Sequence, residues 1–301
     1  METTLAHEQD RRHRVDEIRL MAYAALHGEA TGFTPRKYAG ELSDLETRPQ
    51  SPAYLEALIG TCVVGRIRPS RTVRAMRKLR NLREAAGEGR KFQEFETLVQ
   101  THLGDLGVSG HGYGKAKFAN MDHGKMWSRL GQHIAGLNAA GYEVFLNSGT
   151  LLGVVRDGRF IDHDDDIDLG VILKADCAEA AAAEWKAFKS MTWKEGLFDA
   201  ASFEHAFIHK MASDDGCDID LFPVWFEEGR AFVFPHTFGE LAKEDVLPLK
   251  PCPVSGNPIP AVPEKMLAVN YGDGWREPDP YFSFPWPQAR KKFAAFLEAL
   301  E

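Results

Sequence analysis

The chain has 301 residues, a length for about two domains, with 44% hydrophobic and 27% charged residues. Lys plus Arg number 36 against 44 Asp plus Glu, a net charge of −8, which is the wrong sign for a general nucleic-acid binder. Its four cysteines (Cys62, Cys177, Cys217, Cys252) form no CxxC pair, which argues against a zinc ribbon or thioredoxin-type site and suits a reducing compartment.

The opening residues mix charges from the start and contain no apolar signal core. The longest apolar stretch, around Ala57–Val64, is far shorter than the ~20 residues of a membrane span. A cytoplasmic protein without transmembrane segments is expected. From Arg66 to Lys91, ten basic residues accompany two acids, so this stretch is +8 and the rest of the chain is −16. Val73, Met76, Leu79, Leu82 and Ala86 recur at helical spacing and predict an amphipathic basic helix. Its basic face is either a solvated surface or a contact for an anionic glycan, lipid headgroup or the inner face of a membrane.

Glycines cluster between Leu103 and Gly114 and predict a linker or flexible loop. Gly114-Lys115 is not a P-loop, because Ser109 and Ala116 replace its required Gly and Ser/Thr. Residues 1–115 are therefore expected as a mainly helical region of unknown role, and 116–301 as the catalytic domain.

Past the linker, Asp122 can cap a helix whose Met126, Leu130, Ile134 and Leu137 make one apolar stripe, ended by Gly141. Tyr142–Leu146 predicts a strand, Asn147–Thr150 a turn into a short helix reaching Arg156, and Ile167–Ile172 a second strand. An alanine-rich helix should follow from about Asp176 to Lys189. Ala206–Met211 and Asp218–Val224 predict a hairpin around Asp214-Asp215-Gly216, with a further strand at Ala231–Phe234. Pro248–Pro287 holds ten of the sixteen prolines and should be mostly irregular apart from a short helix near Glu264–Asn270. A single final helix is expected over Gln288–Leu300.

Asp162, Asp164, Asp165, Asp166 and Asp168 place five acids within seven residues at the mouth of an apolar strand. Strand alternation puts Asp164, Asp166 and Asp168 on one face. Such crowding favours a hard cation, Mg²⁺ or Mn²⁺. A calcium loop fails in both registers: Leu169 and Ala175, or Ile167 and Leu173, stand where Gly and Glu are needed. A merely solvated acidic loop is the remaining alternative. Against it, the Gly149-Thr150 turn offers backbone N–H groups at a helix start, and Asp220 supplies a distant third carboxylate on a strand. These are the parts of a two-metal phosphoryl-transfer site.

Gly149-Thr150-Leu151-Leu152-Gly153, Arg156, Phe160-Ile161 and Asp164-Asp165-Asp166-Ile167-Asp168 together resemble the LicD/fukutin family of the DNA polymerase beta-like nucleotidyltransferase superfamily. Asp220-Leu221-Phe222-Pro223 and a later pattern, Leu247-Pro248-Leu249 through Gly256, Pro260, Pro263, Leu267, Tyr271-Gly272 and Trp275, extend the resemblance. It departs at Asp162-His163, where the family usually has Pro-Trp.

The resemblance implies an α+β fold, a nucleotidyltransferase-like mixed sheet flanked by helices. It also implies a metal-dependent phosphotransferase that moves a phosphocholine or polyol phosphate from a CDP-activated donor to a glycan or polyol-phosphate acceptor. By position, Asp166 and Asp168 would bind Mg²⁺ (or Mn²⁺), with Asp164 a further candidate and Asp220 the third carboxylate. Ser148, Gly149, Thr150 and Arg156 would face the donor phosphates. Transfer of NMP to a small molecule or protein, or a non-catalytic glycan- or partner-binding module, are the alternatives.

Two lesser signals carry less. His205 and His209, four apart on a predicted strand, would stand about 13 Å apart by the strand rise, too far for one ion. His163 is expected as a surface residue, with a phosphate contact or a proton shuttle as the alternatives. Trp275, Tyr281, Phe282, Phe284 and Trp286 are expected in core or lid packing, with base or sugar stacking as the alternative.

Overall fold

The computed structural model describes residues 2–29, 32–109, 112–114, 118–164, 166–194, 207–211 and 218–301. The chain forms two compact units: 1–115 together with 279–284, and 116–278 together with 285–301.

The first unit is helical: α1 (Glu2–Leu26), α2 (Pro35–Asp44), α3 (Pro52–Gly65), α4 (Pro69–Ala85) and α5 (Gly89–Leu103). Proline opens α2, α3 and α4, where its missing N–H costs no hydrogen bond and its fixed φ suits the first turn. Ser51 caps α3 by accepting the Tyr54 N–H at 3.2 Å. Every residue from Tyr54 to Val63 is buried, so the most apolar run of the chain is the centre of a helical core. Within it Glu56 is 2% exposed, held by Arg83 at 2.6 Å and Arg19 at 3.2 Å.

The basic segment folds as α4 and the start of α5, and most of its cations have partners. Arg71 pairs with Glu46, Arg80 with Asp279, Arg83 with Glu56 and Glu88, and Arg90 with Glu94. The glycine-rich stretch expected as a linker contains a two-residue ribbon, β1 (Gly107–Val108) and β2 (Tyr113–Gly114). Tyr113 anchors it, its hydroxyl 2.8 Å from the Thr72 hydroxyl and donating to the Ile67 carbonyl at 3.2 Å. Tyr281 completes this core.

The second unit begins with α6 (His123–Ala139), where Asp122 accepts the Lys125 N–H at 3.1 Å and Met126, Leu130, Ile134 and Leu137 are buried. Then come β3 (Val144–Leu146), α7 (Ser148–Leu152), β4 (Asp166–Ile172), α8 (Ala178–Lys194), β5 (His209–Met211), β6 (Asp218–Glu227), β7 (Arg230–Val233) and β8 (Thr237–Ala242). The sheet order is β3-β4-β6-β7-β8, with β5 also on β6. Among the described residues only β4 and β6 are parallel; the other pairs are antiparallel. A parallel neighbour requires a crossover, and α8 lies within it. The fold is thus α+β with a mixed sheet, as expected.

The proline-rich region contains α9 (Lys243–Val246), a ribbon of β9 (Lys250–Pro251) and β10 (Pro258–Ile259), and α10 (Pro263–Tyr271). The expected final helix is two helices, α11 (Trp286–Lys292) and α12 (Ala294–Leu300). They break at Phe293, whose ring enters the core against Phe234 and Phe238. Trp275 is buried and Trp286 is exposed. The expected Asp214-Asp215-Gly216 turn, His205 and Asp165 lie outside the described residues. No helix among the described residues is long and apolar enough to cross a membrane.

Candidate active site

The parallel register of β4 and β6 sets Asp166 beside Asp218 and Asp168 beside Asp220. Strand alternation turns Asp166 and Asp168 the same way, while Ile167 between them joins the hydrophobic core. Asp168 and Asp220 are both buried. Burial pushes the Asp168 carboxyl well above its ordinary range, and the charges of Asp166, Asp164 and Asp220 push it further. The Gly149 amide opposes this by donating to Asp168 Oδ2 at 3.0 Å.

The segment after β3 is also tied to the backbone of Asp168 on both sides. The Asp168 N–H donates to the Thr150 hydroxyl at 2.9 Å, and the Asn147 N–H donates to the Asp168 carbonyl at 3.0 Å. A Cβ at position 149 would stand 2.6 Å from Asp164 Oδ2, so a side chain there would displace that carboxylate. The same contact sets Asp164 against the turn and beside Asp168. Gly153 is required by backbone proximity: an added Cβ would meet the Arg159 carbonyl at 2.6 Å. That close return brings Phe160 back onto α6, where it stacks on Trp127 at 3.5 Å.

Of the expected phosphate-facing groups, Gly149 and Thr150 engage Asp168. Ser148 begins α7 with φ of 43°, a left-handed conformation that costs a non-glycine residue on the order of 1–2 kcal/mol. Strain of this kind concentrates at functional sites. Its hydroxyl is buried and has no hydrogen-bond partner among the described residues. Arg156 grips its neighbour Asp157 with both arms of the guanidinium, at 2.9 and 2.7 Å. His163 is exposed, and Asp162 pairs with Arg159. His209 is buried, stacked flat on Trp185 at 4.3 Å.

Three further residues join the acidic group. Lys210 is the register partner of Asp220 across the β5–β6 ladder, its Nζ 3.0 Å from Asp220 Oδ1 and 4.0 Å from Asp218. A lysine alternating with buried positions, in a hairpin whose other arm carries Asp-x-Asp, was the available signal for it. Asn147 is fully buried, and neither its side-chain oxygen nor its nitrogen has a partner among the described residues. Tyr271, at the end of α10, has its phenol pushed well above the ordinary range by burial, then by Asp168 and Asp164. Its motif was legible in the sequence, but its proximity to the carboxylates required the fold. Among the described residues, no three His, Cys, Asp or Glu side chains converge as a ready-made metal cage.

Comparison with known proteins bears on this arrangement. The sequence is 27% identical over 154 residues to "Ribitol 5-phosphate transferase FKRP" of Mus musculus, and equally to that of Homo sapiens. The alignments cover 46% of this chain but 29% of each relative, so the chain spans under a third of the length of these curated relatives. Residues 141–264 match the family LicD/FKTN/FKRP, nucleotidyltransferase domain. That stretch runs from β3 to the start of α10 and contains every carboxylate described above. Part of the second unit of this chain is thus similar to the nucleotidyltransferase domain of the LicD/FKTN/FKRP family.

Proposed function

We propose that the chain is a phosphotransferase of the LicD kind, moving a phospho-alcohol from a CDP-activated donor to a hydroxyl of a glycan or polyol-phosphate acceptor. The observation that carries this reading is the buried register pair Asp168–Asp220, with the Gly149 turn bonded to it. A binding module gains nothing from crowding like charges out of water, since that arrangement is costly unless compensated. The FKRP relatives, named as ribitol 5-phosphate transferases, support a polyol phosphate as the transferred group.

The donor set suits Mg²⁺ or Mn²⁺. Asp166 and Asp168 supply hard oxygens, and the raised Asp168 carboxyl records a repulsion that a divalent cation would relieve. Mg²⁺ is commonly bound through one or two carboxylates with substrate phosphates completing its shell, so a full protein cage is unnecessary. Bound there, it would neutralise charge on phosphate oxygens.

The chain's own residues do the rest. The acceptor hydroxyl attacks the donor phosphorus nearest the alcohol, an O–P bond forms, and the bond to CMP breaks in line. Asp220 takes the hydroxyl proton. Lys210 beside it favours the ionised carboxylate that this role requires. Asn147 and Ser148 supply buried polar atoms for the donor.

Incubation with a panel of CDP-alcohols and an envelope extract, followed by mass spectrometry, tests the reading. A phospho-alcohol adduct with CMP release is expected, and Asp166→Ala or Asp168→Ala should abolish it with the fold intact. Near-normal turnover in either variant would sink the assignment. NMP adducts formed from CTP or ATP would replace it with nucleotidyl transfer.

A further inference from the structure

The first unit contains a cleft of about 580 Å³ between α4 and the connection from α2 to α3, a volume typical of small-molecule sites. From α4, Arg71, Arg74 and Lys78 line it, three cations on one helical face. From the connection come Glu46, Arg48 and Gln50. Glu46 is the one acid among the lining residues, and Arg71 consumes its charge at 2.9 Å. Lys78 donates to the neutral Gln50 Oε1 at 2.8 Å. Among the described residues Arg48, Arg74 and Lys78 therefore have no carboxylate partner in the cleft, in a chain whose net charge is −8.

Elsewhere in the basic segment Arg80, Arg83, Arg90 and Lys91 are matched by carboxylates; among the described residues Arg74 and Lys78 are not. Arg74 and Lys78, one turn apart, repel each other and weaken the helix slightly. Forked guanidiniums match phosphate oxygens in shape and charge. At the floor, Leu55 and Leu58 are each 1% exposed, so they offer almost no apolar surface to an acyl chain. A compact polar anion suits the cleft better than a lipid.

We propose that this cleft binds a small phosphate-bearing anion, a phosphomonoester or pyrophosphate, held by Arg48, Arg74 and Lys78. The inference is independent of the acidic site in the second unit. It assigns the helical unit a ligand of its own.

The test is calorimetry on the full chain in EDTA, which removes divalent cations from the acidic site, with inorganic pyrophosphate and glycerol 3-phosphate as probes. Saturable binding near one per chain is expected. Arg74→Glu and Lys78→Glu should each weaken it about tenfold or more. Arg77→Glu, which makes the same charge change on α4 away from the cleft, should leave it unaltered, and matched melting temperatures would establish that all three variants fold. No saturable binding at millimolar probe, or equal weakening by Arg77→Glu, would overturn the proposal. So would co-sedimentation with phosphatidylglycerol vesicles that Arg74→Glu abolishes while neither soluble probe binds, which would make the cations a membrane contact.

Discussion

Lys210 and Asp220 face each other across the β5–β6 ladder with 3.0 Å between Nζ and Oδ1. The lysine is the cation set directly against a group of carboxylates that includes Asp166, Asp168 and Asp218. Desolvation works against its charge, but Asp220 and then Asp166 outweigh it and hold the ammonium protonated. Lys210→Met should therefore lower kcat at fixed Mg²⁺ by roughly ten- to a hundredfold, on the scale of losing one electrostatic stabiliser. Lys210→Arg should recover part of the loss. Steady-state kinetics with the donor identified by mass spectrometry would check this, and unchanged kcat in Lys210→Met would refute it.

Thr150 tests the link between the turn and β4. Its hydroxyl accepts the buried Asp168 N–H at 2.9 Å, which fixes the height of that carboxylate relative to the turn. Thr150→Val keeps the shape but strands a buried donor, at a cost of about 1–3 kcal/mol. The melting temperature should fall by several degrees. Thr150→Ser should restore it. A Val variant as stable as wild type would mean that the amide has another acceptor.

Much of this region was legible because its constraints are local. Asp122 as a cap, the stripe through Leu137 and the alternation around Ile167 depend on neighbours within a few residues. The carboxylate pair could be read for the same reason, as Asp166 and Asp168 are two apart on one strand. Lys210, Asn147 and Tyr271 were missed as site members because only the sheet register and the packing of α10 bring them to the carboxylates. The break at Phe293 was hidden by continuous helical periodicity, since what interrupts α11 and α12 is an aromatic ring entering a core built by distant strands. The short helix after β3 was legible, although it starts at Ser148 rather than after a turn through Thr150, and the bonds from Gly149 and Thr150 to Asp168 depend on how β3 lies against β4.

Asn147 separates structural from functional use of a buried polar group. A fully buried amide with no partner among the described residues normally destabilises a fold by about 1–3 kcal/mol. Asn147→Leu, close in size and apolar, should leave the melting temperature equal or higher. If the amide serves the donor, the same variant should raise KM for the donor or lower kcat at least tenfold, as expected when one hydrogen bond to a charged group is lost. Thermal melts and kinetics on one preparation decide between the roles. A marked loss of stability with normal kinetics would assign Asn147 to the scaffold.

His209 predicts how stability responds to acid. It is 1% exposed and stacked on Trp185, and burial, then the nearby Lys189, lowers its pKa from 6.5 to about 4. Between those values the unfolded chain binds a proton that the folded chain refuses, so stability falls as pH drops below 6.5 and levels off below about 4. From the same shift, the loss attributable to His209 is about 2 kcal/mol at pH 5 and approaches 3 kcal/mol near pH 4. His209→Phe keeps a flat ring against Trp185 and cannot titrate. The difference in unfolding free energy between wild type and this variant should therefore widen steadily from pH 7 to pH 4.5, with the variant gaining. Other titrating groups are common to both proteins and cancel in that difference. A pH-independent difference would mean that the imidazole takes up its proton equally well in the folded and unfolded chain, and a difference that moves in favour of wild type as pH falls would mean that a counter-charge holds it protonated in the fold.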